Sequence, residues 1–235
     1  FYRKGKVVVT GIDVFRYSDD TEVIDKTITN SRELAKYLNK KERLVAYTIT
    51  VGKSTYLLFA LHFPSKLYCS NTKQEYLARK MKTYIEQMEK QVKTNNTVIV
   101  GDFNMNPFEK AMLLPDAFNA SMSIDFTNKK KKIYDINESP FYNPTWVLTG
   151  DFHSRTDERK VPGTLYYDDM DEQTAYWQLY DQVILRPHME DRFISSSLEI
   201  LQGFNKTDRS FVNSHNEPNA EQYSDHLPLK FTLNL

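Results

Sequence analysis

The clearest pattern of apolar and polar positions lies between residues 44 and 61. Residues 44–51 and 55–61 are rich in β-branched and aromatic side chains, and Gly52-Lys53-Ser54 separates the two runs. Two such runs joined by a short turn that contains glycine predict a β-hairpin. Although Gly52-Lys53-Ser54 resembles the end of a phosphate-binding P-loop, Tyr47 occupies the position of the first glycine and no helical pattern follows, so a hairpin turn is favoured.

A helical pattern follows the hairpin. Its apolar positions make one stripe at helical spacing: Leu77, Met81, Tyr84, Ile85, Met88 and Val92. Thr72, with Glu75 three residues later, predicts a capping box at the start of the helix. The helix connects the strand that ends at His62 to the apolar run 98–100, so both strand ends are expected at one edge of a sheet.

The remaining segments carry weaker patterns. Residues 7–9 and 12–15 predict short strands, residues 31–41 a helix, and residues 183–185 and 231–235 late strands. Residues 128–178 predict long ordered loops. Two interpretations stay open for the aromatic residues of this segment: they stack on substrate bases, or they form a secondary apolar cluster. These residues are Phe141, Tyr142, Trp146, Tyr166 and Tyr167. The lysine run 129–132 either contacts a phosphate backbone or is solvated.

Composition narrows the class of protein. A chain of 235 residues with 40% hydrophobic residues is expected to form a single globular domain over residues 1–235. Its 31 basic and 31 acidic residues cancel, which argues against a surface coated in positive charge for holding long nucleic acid. With Cys69 as its one cysteine, the chain has no internal disulfide, and a reducing, cytoplasmic location is expected. No apolar run reaches membrane-spanning length.

Two short acidic signatures carry the candidate chemistry. Asp102 and Asn104 follow the apolar run 98–100, and in an extended segment both point to the same side. A carboxylate can deprotonate water and an amide can donate to a phosphoryl oxygen, although both residue types are also common in ordinary turns. Asp225 and His226 place a hard oxygen ligand beside a titratable imidazole. Asp181 is the candidate to orient the His226 ring.

Taken together, these signatures resemble a known family. The segments Ala60-Leu61-His62, Gly101-Asp102-Phe103-Asn104-Met105-Asn106-Pro107, Tyr180-Asp181-Gln182-Val183 and Ser224-Asp225-His226-Leu227-Pro228 resemble, in order, the later motifs of the endonuclease/exonuclease/phosphatase superfamily, typified by deoxyribonuclease I. The intervening sequence is similar to a bacterial branch of that family. The resemblance implies an α+β fold in which helices flank a two-sheet β-sandwich in four layers. It also implies Mg²⁺ or Mn²⁺ as cofactor and attack of water on a phosphate ester.

The resemblance also implies a role for each matching residue. Asp102 would activate the attacking water, and Asn104 would hold the phosphate. Asp225 would be a metal ligand, and His226, oriented by Asp181, would contact the scissile phosphate. His62 matches a histidine that family members place near the leaving group.

The family pattern also begins further upstream. Its first two motifs, an asparagine on the opening strand and a metal-binding glutamate, are expected before residue 1. We therefore expect a weak Mg²⁺ site and poor activity for this chain alone.

The leading hypothesis is a metal-dependent phosphoester hydrolase, with a nuclease or phosphodiesterase slightly favoured and DNA and RNA among the open substrates. The alternatives are a small-molecule phosphatase and a catalytically weak or inactive phosphate- or nucleic-acid-binding module of a larger assembly. The sequence predicts no membrane partner and leaves the oligomeric state open.

Overall fold

The fold is described from a computed structural model. It describes residues 7–12, 44–127, 132–133, 136–137, 140–150, 161–168, 176–205 and 207–235. The helix predicted at 31–41, most of the strand predicted at 12–15 and the side chains of the lysine run 129–132 lie outside these ranges. No helix in the described ranges is both long enough and apolar enough to cross a membrane.

The predicted hairpin is confirmed. Strand β2 (Leu44–Val51) pairs antiparallel with β3 (Ser54–His62). Gly52, at the start of the two-residue turn, has a φ of +59°, a left-handed conformation that favours glycine. On its other side β2 pairs antiparallel with β1 (Val7–Ile12), so the hairpin extends into a three-stranded antiparallel unit.

Helix α1 (Asn71–Val92) confirms the helical stripe. The predicted capping box at Thr72 is wrong, because Ser70 is the N-cap and its hydroxyl accepts a hydrogen bond from the Lys73 backbone N–H. The helix ends at Lys93, whose φ of 56° lies in the left-handed region and whose N–H donates to the Glu89 carbonyl.

The helix returns the chain to the sheet beside the hairpin. Strand β4 (Thr97–Asp102) pairs in parallel with β3, and this register sets His62 opposite Asp102. The expected meeting of the two strand ends at one edge of the sheet is confirmed. A later strand, which runs Asp181–Leu185, pairs antiparallel with the other side of β4.

The other elements of the described ranges are short. Helices α2 (Lys110–Leu113) and α3 (Ile124–Thr127) each make about one turn. The short strands are β5 (Ala120–Ser121), β6 (Lys132–Ile133), β7 (Ile136–Asn137), β8 (Phe141–Tyr142), β9 (Leu165–Tyr166), β10 (Trp177–Gln178), β12 (Glu199–Ile200) and β13 (Leu229–Lys230), with β11 being Asp181–Leu185. Three 3₁₀ helices lie at Pro144–Leu148, Pro187–Arg192 and Ser195–Ser197.

The strands assemble into one large sheet and three small ones. The large sheet has seven strands in the order β1-β2-β3-β4-β11-β8-β5, and β9 with β10, β12 with β13, and β6 with β7 form two-stranded sheets. The α+β class is confirmed. The late strand predicted at 231–235 is wrong in position, because pairing with β12 occurs at β13, and Leu233 makes only an isolated bridge to Phe193.

Apolar side chains cover both faces of the large sheet. On one face α1 contributes Leu77, Met81, Ile85 and Met88 to a buried cluster with Phe59 and other sheet residues. On the opposite face Tyr56, Val98 and Val183 pack against the segment after β11 and against residues near β13. Within the described ranges the second layer of strands is thus the short β12–β13 pair rather than a broad sheet.

Candidate active site

The candidate site lies where three neighbouring strands of the large sheet meet. His62 ends β3, Asp102 ends β4 and Asp181 begins β11. The strand registers set Asp102 opposite both His62 and Asp181. A row of three titratable side chains therefore crosses one edge of the sheet.

Gly101 allows β3 and β4 to approach each other at this edge. Its φ is +142°, and a Cβ added there would lie 1.9 Å from the Leu61 carbonyl oxygen. No other residue fits such a contact without a backbone shift. The glycine of the Gly-Asp-Phe-Asn motif therefore sets the position of Asp102 beside His62.

Asn104 folds back onto Asp102. Strand β4 ends at Asp102, and Asn104 has a φ of 49°, so the two side chains converge through a left-handed turn and not through the predicted strand alternation. Both carboxylate oxygens of Asp102 accept from Asn104, Oδ1 from the backbone N–H and Oδ2 from the side-chain amide, each at 2.7 Å. Phe103 is fully buried, as the pattern predicted.

The Asn104 side-chain amide is already hydrogen-bonded within the protein. Its nitrogen also donates to the Phe63 carbonyl at 2.8 Å, so both amide hydrogens have acceptors. A contact from this amide to a phosphate would require one of these bonds to exchange. In the described geometry Asn104 fixes the orientation of the Asp102 carboxylate.

His226 and Asp181 form a close pair. The Nδ1 atom of His226 lies 2.7 Å from Oδ2 of Asp181, and the two side chains are 23% and 21% exposed. An ionised carboxylate only accepts hydrogen bonds, so Nδ1 carries the proton and Nε2 remains for another partner. This is the juxtaposition that the motifs predicted for an oriented histidine.

Burial and neighbouring charges perturb both titratable groups. Burial, reinforced by the charges of Asp181 and Asp225, raises the pKa of Asp102 to about 6, and His226 and the Asn104 backbone only partly oppose this rise. Burial by itself lowers the pKa of His226, but the Asp181 hydrogen bond and the surrounding carboxylates outweigh it, so the pKa of His226 is raised. The site therefore favours a bound proton or another cation.

His62 and Asp225 lie at the exposed side of the site. The Nε2 atom of His62 is 3.6 Å from Oδ2 of Asp102, and its side chain is 66% exposed. Asp225 is exposed, and the Ser224 hydroxyl is 3.5 Å from its Oδ1. The same Ser224 oxygen accepts from the His226 backbone N–H at 3.1 Å, so it connects the two motif residues.

The site offers few protein ligands for a divalent cation. No group of three or more His, Cys, Asp or Glu side chains in the part of the chain that the structure describes is arranged as a complete metal cage. Mg²⁺, however, is commonly held by one or two carboxylates together with waters and substrate phosphates. The exposed carboxylate of Asp225, near enough to raise the pKa of Asp102, fits that sparse pattern.

Sequence reasoning missed Asn106, which is buried two residues beyond Asn104. Its Oδ1 accepts from the Leu179 backbone N–H at 2.9 Å, and its amide donates to the side chain of Gln178. These bonds hold the segment that leads into Asp181 against the segment that carries Asp102. The only signal in the sequence was its place inside the motif stretch, because a buried asparagine cannot be distinguished from a turn residue without its partners.

Several other polar and aromatic residues lie outside the candidate site and have partners within the fold. His188 bonds through Nε2 to the Asn96 side chain at 3.1 Å, and Cys69 is buried in the apolar core. Phe141 lies in the main core, and Tyr142 packs on the opposite face of the sheet. Tyr166 stacks with Tyr176 and contacts Trp177 beside β9, so these aromatic residues do not form one common cluster.

No protein-family model matches this sequence, and no curated protein sequence matches it. Among solved structures, the human Nocturnin catalytic domain with bound sulfate is similar at 15% identity, covering 81% of this chain and 53% of that one, with a TM-score of 0.42. An endonuclease/exonuclease/phosphatase family protein from Bacteroides thetaiotaomicron is similar at 12% identity, covering 82% of this chain and 56% of that one, with a TM-score of 0.40.

The 3′ phosphatase NExo from Neisseria, bound to a product DNA hairpin, is similar at 15% identity, covering 85% of this chain and 68% of that one, with a TM-score of 0.38. This chain spans little more than half the length of the first two structures. Likeness of this degree does not assign an activity, which the side-chain geometry has to support by itself.

Proposed function

We propose that this chain is a phosphoester hydrolase of the endonuclease/exonuclease/phosphatase type that uses Mg²⁺ or Mn²⁺ and an activated water. The observation that carries the proposal is the convergence of Asp102, Asp181 and His226, from distant parts of the sequence, at one edge of the sheet. Hydrolysis of a phosphate ester needs a base for water and donors for the developing charge on phosphorus. These three side chains supply both.

Asp102 is the proposed base. Its carboxylate is held by two hydrogen bonds from Asn104, and its pKa of about 6 leaves it mostly ionised at pH 7. A base whose pKa is close to the working pH takes up a proton more readily than an ordinary aspartate. Asp102 therefore accepts the proton of the attacking water.

His226 is the proposed donor to the phosphoryl group. Asp181 holds Nδ1 and favours the protonated ring, which leaves the Nε2 proton for a phosphoryl oxygen. A fixed donor of this kind stabilises charge in the transition state without reorganising water. His62, close to Asp102 and largely exposed, is in a position to contact the leaving group.

Asp225 is the proposed protein ligand for the cation. Bound at this carboxylate, Mg²⁺ would act as a Lewis acid that neutralises negative charge on the phosphate. The like charges around Asp102 support this role, because Asp181 and Asp225 both raise the pKa of Asp102 and a cation relieves that repulsion. A nuclease or phosphodiesterase is our first choice of activity. The chain's neutral charge leaves the choice among phosphorylated substrates open.

A panel of phosphodiester and phosphomonoester substrates with Mg²⁺ or Mn²⁺ tests the proposal. The blank is the double variant Asp102→Ala, His226→Ala, and the matched control is His215→Ala, which removes an exposed histidine elsewhere. We expect metal-dependent hydrolysis by the wild type and by the control, and none by the double variant. Hydrolysis that survives in the double variant would place the reaction at another site.

A wild type that turns over no substrate but binds inorganic phosphate only when His226 is present would instead indicate the phosphate-binding module. The same preparations serve for this measurement, so the two functions are separated with one set of variants.

A further inference from the structure

Thr164 lies between the two segments that carry Asp181 and His226. It is fully buried, and its hydroxyl oxygen accepts from the Asp181 backbone N–H at 3.2 Å. Its carbonyl oxygen accepts from the backbone N–H of Leu227, the residue after His226, at 2.7 Å. One residue thus bonds to the backbone on both sides of the Asp181–His226 pair.

The neighbours of Thr164 extend this arrangement. Its own N–H donates to the Gln178 carbonyl at 2.9 Å, and the next residue, Leu165, forms an antiparallel bridge with His226. A Cβ added to Gly163 would lie 2.6 Å from the Gln178 carbonyl oxygen, so only glycine allows the segment to pack this closely. The Gly163-Thr164 segment is therefore fitted between the Asp181 strand and the His226 segment.

We propose that Thr164 is a positioning residue, which fixes the separation and the angle of the Asp181–His226 pair by bonding to the backbone of both segments. The effect of Thr164 on catalysis rests on the proposed function. Its structural content is independent of that function, because the Asp181–His226 bond exists in the free chain. The hydroxyl is the part of Thr164 that acts on the Asp181 side, since the carbonyl bond to Leu227 does not depend on the side chain.

A second buried threonine provides a matched control. Thr145 is also fully buried, and its hydroxyl exchanges hydrogen bonds with the backbone of Val183, accepting from its N–H at 3.1 Å and donating to its carbonyl at 3.2 Å. Both threonines therefore bond to β11, but Thr145 contacts the strand two residues beyond Asp181. Replacing either hydroxyl by a methyl group leaves a strand N–H without its acceptor.

The experiment compares Thr164→Val, Thr164→Ser and Thr145→Val in the full chain. Solution NMR follows the His226 Nδ1 proton, assigned by its loss in His226→Ala, and measures its exchange rate with water. Thermal melting is recorded alongside, with kcat and KM on the best substrate of the panel. We expect Thr164→Val to speed the exchange by roughly tenfold and to lower kcat more than it changes KM, because the carboxylate partner is loosened.

The two other variants separate positioning from general stability. Thr145→Val is expected to lower the melting temperature as much as Thr164→Val does, with wild-type exchange of the Nδ1 proton. Thr164→Ser keeps the acceptor oxygen and is expected to keep slow exchange despite the loss of a buried methyl group. This variant also decides the matter if Thr164→Val does not fold, since fast exchange in Thr164→Ser would overturn the proposal.

Equal exchange rates in Thr164→Val and the wild type would also overturn it and leave Thr164 a stabilising residue only. Failure of the proposed function has a different signature. In that case the panel shows no hydrolysis dependent on His226, while the exchange measurement still reports whether Thr164 holds the pair.

Discussion

Charged groups lie beside both ends of the β4–β11 pair, and their surroundings differ at the two ends. Beyond the last residue of β11, Arg186 donates two hydrogen bonds to Glu89, at 2.8 and 2.7 Å, and lies over the Phe141 ring. These charged side chains are 5% and 10% exposed and compensate each other. At the other end the register sets Asp102 directly opposite Asp181, so two carboxylates meet.

The Arg186–Glu89 end stabilises the fold, whereas the Asp102–Asp181 end has carboxylates that can bind a proton or a cation. The Arg186–Glu89 pair has further partners. The Thr97 hydroxyl also donates to Glu89, the Arg186 guanidinium donates to the Pro140 carbonyl, and Glu86 lies 4.0 Å from it. At the Asp102–Asp181 end, His226 and the largely exposed His62 lie beside the carboxylates. Burial and the neighbouring carboxylates raise the pKa of Asp102, and the carboxylates raise the pKa of His226 against the effect of burial. An uncompensated end costs stability and favours cations and protons.

The largest expected effect is on catalysis at the carboxylate end. His226→Ala removes the proposed donor to the phosphoryl group, and we expect kcat to fall by roughly 10²–10³. A modest fall in melting temperature is also expected, because Asp181 loses the histidine that lies 2.7 Å from its carboxylate. Steady-state kinetics and thermal melting of the same preparation check both statements. A kcat within a factor of about three of the wild-type value would exclude His226 as the donor to the phosphoryl group.

The next effect concerns stability at the opposite end. Arg186→Met leaves Glu89 buried without its partner, which is expected to cost about 3–5 kcal/mol of unfolding free energy. The double variant Glu89→Leu, Arg186→Met removes both charges and is expected to recover much of this loss. Urea unfolding measures all three proteins. A single variant as stable as the wild type would mean that the two charges do not depend on each other.

The pH dependence of stability should distinguish the ends further. A carboxyl whose pKa is raised on folding, here from 3.8 to about 6, stabilises the fold below pH 4, and this contribution is lost as the pH rises through 6. Asp102 is therefore expected to lower the free energy of unfolding by about 2–3 kcal/mol between pH 4 and pH 7. Unfolding curves of Asp102→Asn over this range should show a flatter pH profile than those of the wild type, and parallel profiles would refute the shift.

The smallest effect is expected at His62. Its side chain is largely exposed and 3.6 Å from Asp102, and exposed ion pairs contribute about 0–1 kcal/mol to stability. His62→Gln is expected to leave the melting temperature unchanged and to lower kcat by about tenfold through the lost contact with the leaving group. An effect as large as that of His226→Ala would mean that His62 contributes as much to the reaction as His226 does.

The elements that the sequence predicts well are those whose patterns are local. The α1 stripe and the β2–β3 hairpin repeat at fixed spacing, so their side chains determine them without knowledge of the partners. The N-cap was misplaced by two residues, because Ser70 and Thr72 are both good caps and the surrounding fold selects between them. The late strand was misplaced because pairing with β12 decides its position.

The residues of the candidate site also divide into those with a local sequence pattern and those without one. Asp102, Asp181 and His226 belong to short motifs that are visible in the sequence. Thr164 and Asn106 act through backbone N–H and carbonyl groups of distant segments, which leave no mark in the amino-acid order. The left-handed turn at Asn104 was also missed, since simple strand alternation predicts the same side for both residues without the fold-back.

We propose that a divalent cation meets the phosphate ester at the end of β4 and β11 that carries Asp102 and Asp181. Substoichiometric Mn²⁺, added to the isotope-labelled chain, tests this by NMR, because paramagnetic broadening falls steeply with distance and the two ends of β4 are about 17 Å apart. We predict strong broadening of the amide signals of Asp102, Asp181 and Asp225, much weaker broadening at Thr97 and Arg186, and loss of the effect in Asp225→Asn. Equal broadening at both ends, or unchanged broadening in Asp225→Asn, would contradict a cation site at Asp225.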